Sequence, residues 1–262
     1  MKRYFVFLIF IFMGTIILFG GSAKNVSITI LYDNYLHTEG AKTDWGFSCL
    51  IRGTEKTILF DTGTKPDILF YNIKKLKVDT GDIQLVVITH NHLDHTGGLI
   101  SFLETHPKPI SVYIPHSFAN DFVDRVKKHN AQVIPVDEPI KICNDVYSTG
   151  EMGVRIKEQS LILDTKKGLV VINGCSHPGI VSIVKRAKEI HKKNVFLVFG
   201  GFHLMSKSEE ELNNIIAQFK ELGVVKVGAT HCTGDKAINQ FREAYKNNFV
   251  EMGVGKVIKI EM

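Results

Sequence analysis

The sequence predicts an α/β protein built as a four-layer αββα sandwich, two mixed sheets packed face to face with helices outside. Three observations carry this. Segments rich in β-branched and aromatic residues come first and then mix with helical segments, and this order occurs once in each half of the chain. No linker, repeat or low-complexity stretch interrupts residues 24–262, which favours a single domain there. Of the 262 residues, 44% are hydrophobic and 23% charged, enough for a real core and unlike a disordered or disulfide-scaffold chain.

The elements follow in order. Val26–Tyr32, Phe47–Ile51 and Thr57–Phe60 read as strands, and Gln84–Thr89 is a short apolar strand that runs directly into histidines. Leu99–Glu104 and Phe118–His129 have helical patterning. Between and after them, Ser111–Ile114, Gln132–Pro135, Ile140–Tyr147, Val154–Lys157, Leu161–Leu163 and Gly168–Asn173 read as strands broken by Pro, Asn and Gly. Ile180–Lys192 is helical, with Ile180, Ile183, Val184 and Ala187 on one face. Asn194–Phe199 is a strand, and Glu209–Leu222 a helix whose Ser208 and Glu211 have capping-box spacing. Strand Val224–Ala229, helix Lys236–Lys246 and strand Lys256–Ile260 complete the chain.

Residues 1–23 have a different character. Lys2 and Arg3 precede Tyr4–Phe19, a run without a charge, and Gly-Gly-Ser-Ala follows, ending at Ala23. A basic start, an apolar run and a small-residue end describe a secretory signal peptide. The same run is at the short edge for an uncleaved N-terminal anchor, where about 20 apolar residues are usual. Either reading puts the protein outside the cytoplasm: exported to a periplasmic or extracellular space, or anchored and facing outside. Contact with a membrane is then expected through residues 1–23 alone.

The formal charge is +5, and without Lys2 and Arg3 the remaining 30 basic and 27 acidic residues leave +3. That is too weak to indicate a nucleic-acid partner, and none is expected; the basic clusters fall on helical or turn segments and read as solvated faces. Cys49, Cys143, Cys175 and Cys232 are far apart and show no CxxC pair. Cys175 and Cys232 stand beside histidines, which makes a site the better reason for them.

Six of the eleven histidines, His90, His92, His95, His177, His203 and His231, closely follow hydrophobic strands and sit among Gly, Thr, Ser or Cys. Loops at strand ends are where a rigid scaffold presents functional groups. The densest stretch is Thr89-His90-Asn91-His92-Leu93-Asp94-His95-Thr96-Gly97-Gly98. In an extended loop His90 and His92 point the same way, so both imidazoles reach one ion, while Asp94 and His95 turn toward a second position. Imidazole and carboxylate donors suit zinc, with iron and manganese as alternatives. His203 follows a strand and two glycines and reads equally as a proton donor to a leaving group or as a histidine bonded within its turn. Ser176, Thr230 and Thr233 read as partners of ligands or substrate, or as ordinary loop polarity. The alternation of an extended loop points Cys232 away from the site, into packing.

The H-x-H-x-D-H pattern after a buried strand resembles the signature of the metallo-β-lactamase superfamily, and the expected sandwich is similar to that family's fold. The likeness covers about residues 26–262. Asp61, in Leu59-Phe60-Asp61-Thr62-Gly63, resembles the acidic turn that supports the metal loop without binding metal. His231 matches the late strand-end histidine of the second metal position. The chain departs from commoner members at Asn173-Gly174-Cys175-Ser176-His177-Pro178, where Cys175 stands in place of a bridging aspartate. The resemblance then makes His177 the remaining imidazole for the first metal. Cys175 is either a thiolate ligand or a small residue packing the turn. Asp33-Asn34, Gly46-Phe47-Ser48 and Gly200-Gly201-Phe202-His203-Leu204 are similar to the dihydropterin-ribofuranosyl-aminobenzene-phosphate synthase-like branch, in which a histidine commonly stands at the position of Trp45.

What the resemblance implies is an enzyme with two divalent ions, zinc first and manganese or iron next. His90, His92, Asp94, His95, His177, His231 and Cys175 are the metal residues, and Asp94 and His203 the catalytic ones. Two activities are implied for a small-molecule substrate. One is hydrolysis of an ester, lactone or phosphoester by a metal-activated hydroxide; the other is transfer chemistry of the synthase type.

Overall fold

The structure, a computed structural model, describes Met1 and residues 25–262. The leader assigned to residues 1–23 lies, Met1 aside, outside the described residues. The first sheet opens as an antiparallel meander of β1 (Asn25–Tyr32), β2 (Ser48–Arg52) and β3 (Thr57–Phe60). Pairing then becomes parallel through β4 (Ile83–Val87), β5 (Ile110–Pro115) and β6 (Ala131–Val136). Parallel neighbours cannot be joined by a tight turn, so each step requires a crossover. The crossovers are α1 (Pro66–Lys75), then α2 (Leu93–Thr96) with α3 (Leu99–Thr105), and α4 (Asn120–Lys127).

The second sheet repeats this plan. Strands β7 (Ile140–Cys143), β8 (Val146–Ser148), β9 (Leu161–Thr165) and β10 (Gly168–Asn173) are antiparallel neighbours. Strands β11 (Val195–Gly201) and β12 (Lys226–Thr230) follow in parallel, reached through α5 (Ile180–His191) and α6 (Glu209–Glu221). After α7 (Asp235–Tyr245), β13 (Val257–Glu261) returns to pair with β1. The orders are β13-β1-β2-β3-β4-β5-β6 and β12-β11-β10-β9-β8-β7.

Packing makes four layers of these elements. Ile28, Ile30, Phe60 and Val87 of the first sheet share one buried cluster with Leu163, Val170, Ile172 and Phe199 of the second. Leu69, Phe102 and Phe122 of α1, α3 and α4 cover the outer face of the first sheet. Ile183, Phe219 and Phe241 of α5, α6 and α7 cover the second. Each fully buried residue of this kind contributes about 1.5–3 kcal/mol relative to an exposed one. The capping box at α6 is present: Ser208 Oγ accepts from the Glu211 amide, and Glu211 Oε2 accepts from the Ser208 amide. No helix among the described residues is long and apolar enough to cross a membrane.

The structure corrects five expectations. Helix α1 was not expected, although Pro66 at its start, Asp67 in its first turn and Lys74 and Lys75 in its last are ordinary helix signals. Ile140–Tyr147 is a hairpin rather than one strand, turning at Asp145 with φ +61°. Gln84–Thr89 leaves the sheet at Val87, and Phe118–His129 is helical over Asn120–Lys127. Val154–Lys157 is no strand: Met152 and Glu158 exchange backbone hydrogen bonds of 2.9 Å in both directions, closing residues 153–157 into a loop.

Candidate metal centre

Six loops meet at one edge of the sandwich, each leaving the C-terminal end of a strand. They follow β1 (Asp33, Asn34), β3 (Asp61), β4 (His90–His95), β10 (Cys175–His177), β11 (His203) and β12 (His231). The backbone is unusual here. Of nine described non-glycine residues with positive φ, Asp61, Ser176, His203 and His231 lie at this edge. Such conformations cost about 1–3 kcal/mol each and persist where surrounding structure dictates them. A Cβ on Gly174 would collide with Thr89 Oγ1, and one on Gly201 would lie 2.6 Å from Cys232 Sγ, so both loops approach closely only because glycine stands there.

The loops bring together all seven residues singled out as metal ligands, in two groups. His90, His92 and His177 each offer a nitrogen within 4.8 Å of the others. Asp94, His95, Cys175 and His231 do the same with one atom each. The second group is compact. Asp94 Oδ2 lies 3.4 Å from His95 Nε2 and 3.3 Å from His231 Nε2, while Cys175 Sγ lies 3.2 and 3.4 Å from the same two nitrogens. His203, exposed at the rim, stacks obliquely on His177 with ring centroids 4.5 Å apart.

Partners behind the rings decide which nitrogen faces inward. Asp61 accepts from the Thr89 amide and hydroxyl, both at 2.8 Å, so the Thr89 oxygen is left to accept from His90 Nδ1–H at 3.0 Å. Asp61 Oδ2 also accepts from His95 Nδ1–H at 2.7 Å. Asn34 Oδ1 accepts from the Gly46 amide at 3.1 Å and from His231 Nδ1–H at 2.9 Å. His90, His95 and His231 therefore all present Nε2. His92 presents Nδ1, 3.1 Å from His90 Nε2, and His177 Nε2 is buried without a partner among the described residues.

The electrostatics of the two groups differ. Burial, helped by neighbouring histidines, holds His90 well below its ordinary pKa and pushes His177 down to about 4; burial likewise lowers His92. In the second group burial opposes ionisation too, but Asp61 and Asp94 outweigh it and push His95 up to about 10. The same contacts with His231 and His95 overcome burial at Asp94 and hold its carboxyl far below the usual range. Contact with Cys232 and burial push the Cys175 thiol up.

Several residues have roles that the sequence did not reveal. Glu158 is fully buried and accepts from the amides of Cys175, Ser176 and His177 at 2.9, 2.8 and 2.7 Å, clamping the loop that carries two of the seven. Asn34 and Thr89 orient rings, as above. Cys232 is a correction: its Sγ faces the site, 3.6 Å from the Cys175 carbonyl, because residues 231–233 form a 3-10 turn and not an extended segment. Thr230, Thr233 and Ser176 are spent on the scaffold instead. Thr230 donates to Asp33, Thr233 to the Thr230 carbonyl and Ser176 to the Gly201 carbonyl.

Comparison with known proteins agrees with this geometry. The chain is 31% identical to a 7,8-dihydropterin-6-methyl-4-(beta-D-ribofuranosyl)-aminobenzene-5'-phosphate synthase of Methanocaldococcus jannaschii, over 91% of this chain and 98% of that protein. An uncharacterized protein of the same organism is also 31% identical, over 89% of this chain and 100% of its own. The crystal structure of Tm1679, a metal-dependent hydrolase of the beta-lactamase superfamily, superposes with a TM-score of 0.78 at 28% identity, covering 90% of this chain and 100% of that one. The family model described as "Metallo-beta-lactamase superfamily" matches residues 46–182, which hold Asp61, the His90–His95 loop and His177. The chain belongs to the metallo-beta-lactamase superfamily.

Proposed function

We propose that the chain is a metal-dependent hydrolase of an ester, lactone or phosphoester carried by a small molecule. The observation that carries this is the pairing of two donor groups in one mouth, with the rings of His90, His95 and His231 already oriented by partners behind them. His90, His92 and His177 would hold one divalent ion; Asp94, His95, His231 and the Cys175 thiolate would hold another. The donors suit such ions: three imidazoles kept neutral by burial, one of them with a buried unpartnered nitrogen, and beside them a set of one carboxylate, two imidazoles and a thiol. Mixed imidazole, carboxylate and thiolate donors favour zinc, with manganese and iron next. Bound there, the ions would supply Lewis-acid polarisation of the substrate and a lowered pKa for attacking water.

The protein's own groups divide the remaining work. Asp94 keeps its charge against burial, so its carboxylate accepts a hydrogen bond from the attacking water and orients it. His203, exposed at the rim and pushed up in pKa by Cys232, carries a proton toward the leaving group. Glu158 and Asp61 keep the ligand loops in place. Export or outward anchoring through residues 1–23 belongs to the same proposal and is supported by the composition of that segment.

The similar synthase favours a second reading, transfer chemistry at the same donors. Hydrolysis of bis(nitrophenyl) phosphate and of a simple aryl ester, by chelated protein and by protein reloaded with zinc, manganese or iron, separates the two. Turnover restored by metal is the expected result. Two bound ions without turnover of either compound would favour transfer, or hydrolysis of a substrate that these two compounds do not mimic.

A further inference from the structure

Two clefts open on the histidine face, and two neighbouring residues line both. The first, about 380 Å³, lies between the loop around Val154 and the rings of His177 and His203. The second, about 270 Å³, runs from His92 to Phe118 and Lys157. Arg155 and Ile156 border each of them. Neither cleft is lined by an Asp or Glu, nor is the neighbouring one that contains His177, His203 and Lys207. The hollows away from the histidines differ: one contains Glu209 and Glu243, the other Asp235 and Glu251.

Arg155 is also, among the described residues, the arginine without a partner. Among the described residues Arg52, Arg186 and Arg242 pair with Asp82, Glu138 and Glu251, and Arg125 lies over the Phe122 ring. The other cations on these clefts are engaged, Lys157 3.7 Å from Glu151 and Lys207 2.7 Å from Glu211. The loop presenting Arg155 is anchored. Its base is closed by the Met152–Glu158 backbone pair, and Glu158 holds the amides of the His177 loop, so the guanidinium and the histidines belong to one connected frame. Four large apolar side chains stand exposed around this face: Val154 (95%), Leu93 (67%), Met205 (62%) and Trp45 (46%). The Trp45 ring lies 5.1 Å from that of His231.

We propose that Arg155 is a specificity-determining residue, holding a phosphate or carboxylate on the non-reacting end of a substrate whose apolar body lies on this collar. A planar guanidinium matches either anion with two parallel hydrogen bonds, no carboxylate lines these clefts, and Glu151 behind one of them is paired with Lys157. The proposal rests on the enzymatic reading above but not on the choice between hydrolysis and transfer.

The test begins with binding, which needs no turnover. Phenylphosphonate and phenylacetate are titrated calorimetrically into the chelated full-length chain, with benzyl alcohol as the neutral control, for the native protein, R155A and R155K. Anion affinity is expected to fall at least tenfold in R155A and to recover in part in R155K. Equal affinity for both acids would mean that any anion serves; preference for the phosphonate would narrow the class to phosphates. No anion binding to the native protein, or equal binding by R155A, overturns the proposal. With metal restored, R155A should lose at least tenfold more kcat/KM on a carboxylate-bearing aryl ester than on its neutral analogue, chiefly through KM; equal losses would also overturn it. A chain that hydrolyses neither ester yet binds phenylphosphonate through Arg155 keeps the anion site while losing the hydrolase reading.

Discussion

The two donor groups lie side by side yet are built on opposite electrostatic plans. His90, His92 and His177 have no carboxylate among them, and burial holds all three neutral. The group of Asp94, His95, Cys175 and His231 contains the Asp94 carboxylate and is backed by that of Asp61, which together hold a proton on His95 to high pH. A cation entering the first group displaces nothing. One entering the second must expel a proton, so its affinity should fall more steeply with acid. The difference comes from placement: Asp61 reaches across from the end of β3 to His95, while behind His90 the same carboxylate acts only through the Thr89 hydroxyl.

Substitutions within each group should separate them most sharply. Asp94→Ala is expected to remove activity and to release metal from the second group, and His177→Ala to release it from the first. Metal content and turnover of each purified variant check this. Full turnover with full metal content in Asp94→Ala would refute the assignment. His203→Ala should retain metal and lower kcat by about a hundredfold, the usual worth of a positioned proton donor; loss of metal would instead make it a ligand.

A subtler variant probes the clamp. In Glu158→Gln one oxygen becomes an NH2 donor, which cannot accept from the backbone, so the three amides of Cys175, Ser176 and His177 compete for a single acceptor. Metal affinity should weaken by about ten- to a hundredfold, as for other residues that orient ligands from behind. The loss should reach both groups, since Glu158 holds the amide of Cys175 in one and of His177 in the other. Competition against a chromophoric chelator measures both sites, and unchanged affinities would reduce Glu158 to packing.

How much of this was legible follows from distance along the chain. The His90–His95 loop could be read because its strand, donors and glycines are contiguous, and the spacing of two residues between His90 and His92 has a direct geometric meaning. Glu158 could not, since its partners lie 17 to 19 residues downstream and only the fold brings them together. Cys232 misled because alternation holds only while backbone stays extended, and His231 at φ +50° breaks it. Val154–Lys157 has the alternation of a strand, but its flanking residues bond to each other rather than to a neighbouring strand. Helix α1 is demanded by the parallel pairing of β3 with β4, a fact available only once strand order is known.

The pH dependence of the chelated protein's stability offers the finest resolution of the two groups. His177 titrates at about 4 in the folded chain, below the ordinary 6.5, so between those values the unfolded chain binds more protons. Its contribution is complete above pH 6.5 and is lost as pH falls through 4, with His90 acting in the same direction. His95 titrates at about 10, so there the folded chain binds more protons. Its contribution is complete below pH 6.5 and is lost as pH rises toward 10. His177 and His90 therefore steepen the acid limb of stability and His95 the alkaline limb, while Glu158 and Asp33, pushed up by burial to about 7 and about 6, lose stability as pH rises through those values and oppose the two histidines there. Urea midpoints across pH 4–10 should show both limbs. His177→Ala should flatten the acid limb and His95→Ala the alkaline one, each without moving the other. Both limbs flattening together in either variant would mean that the two groups titrate as one network, and the contrast drawn between them would fail.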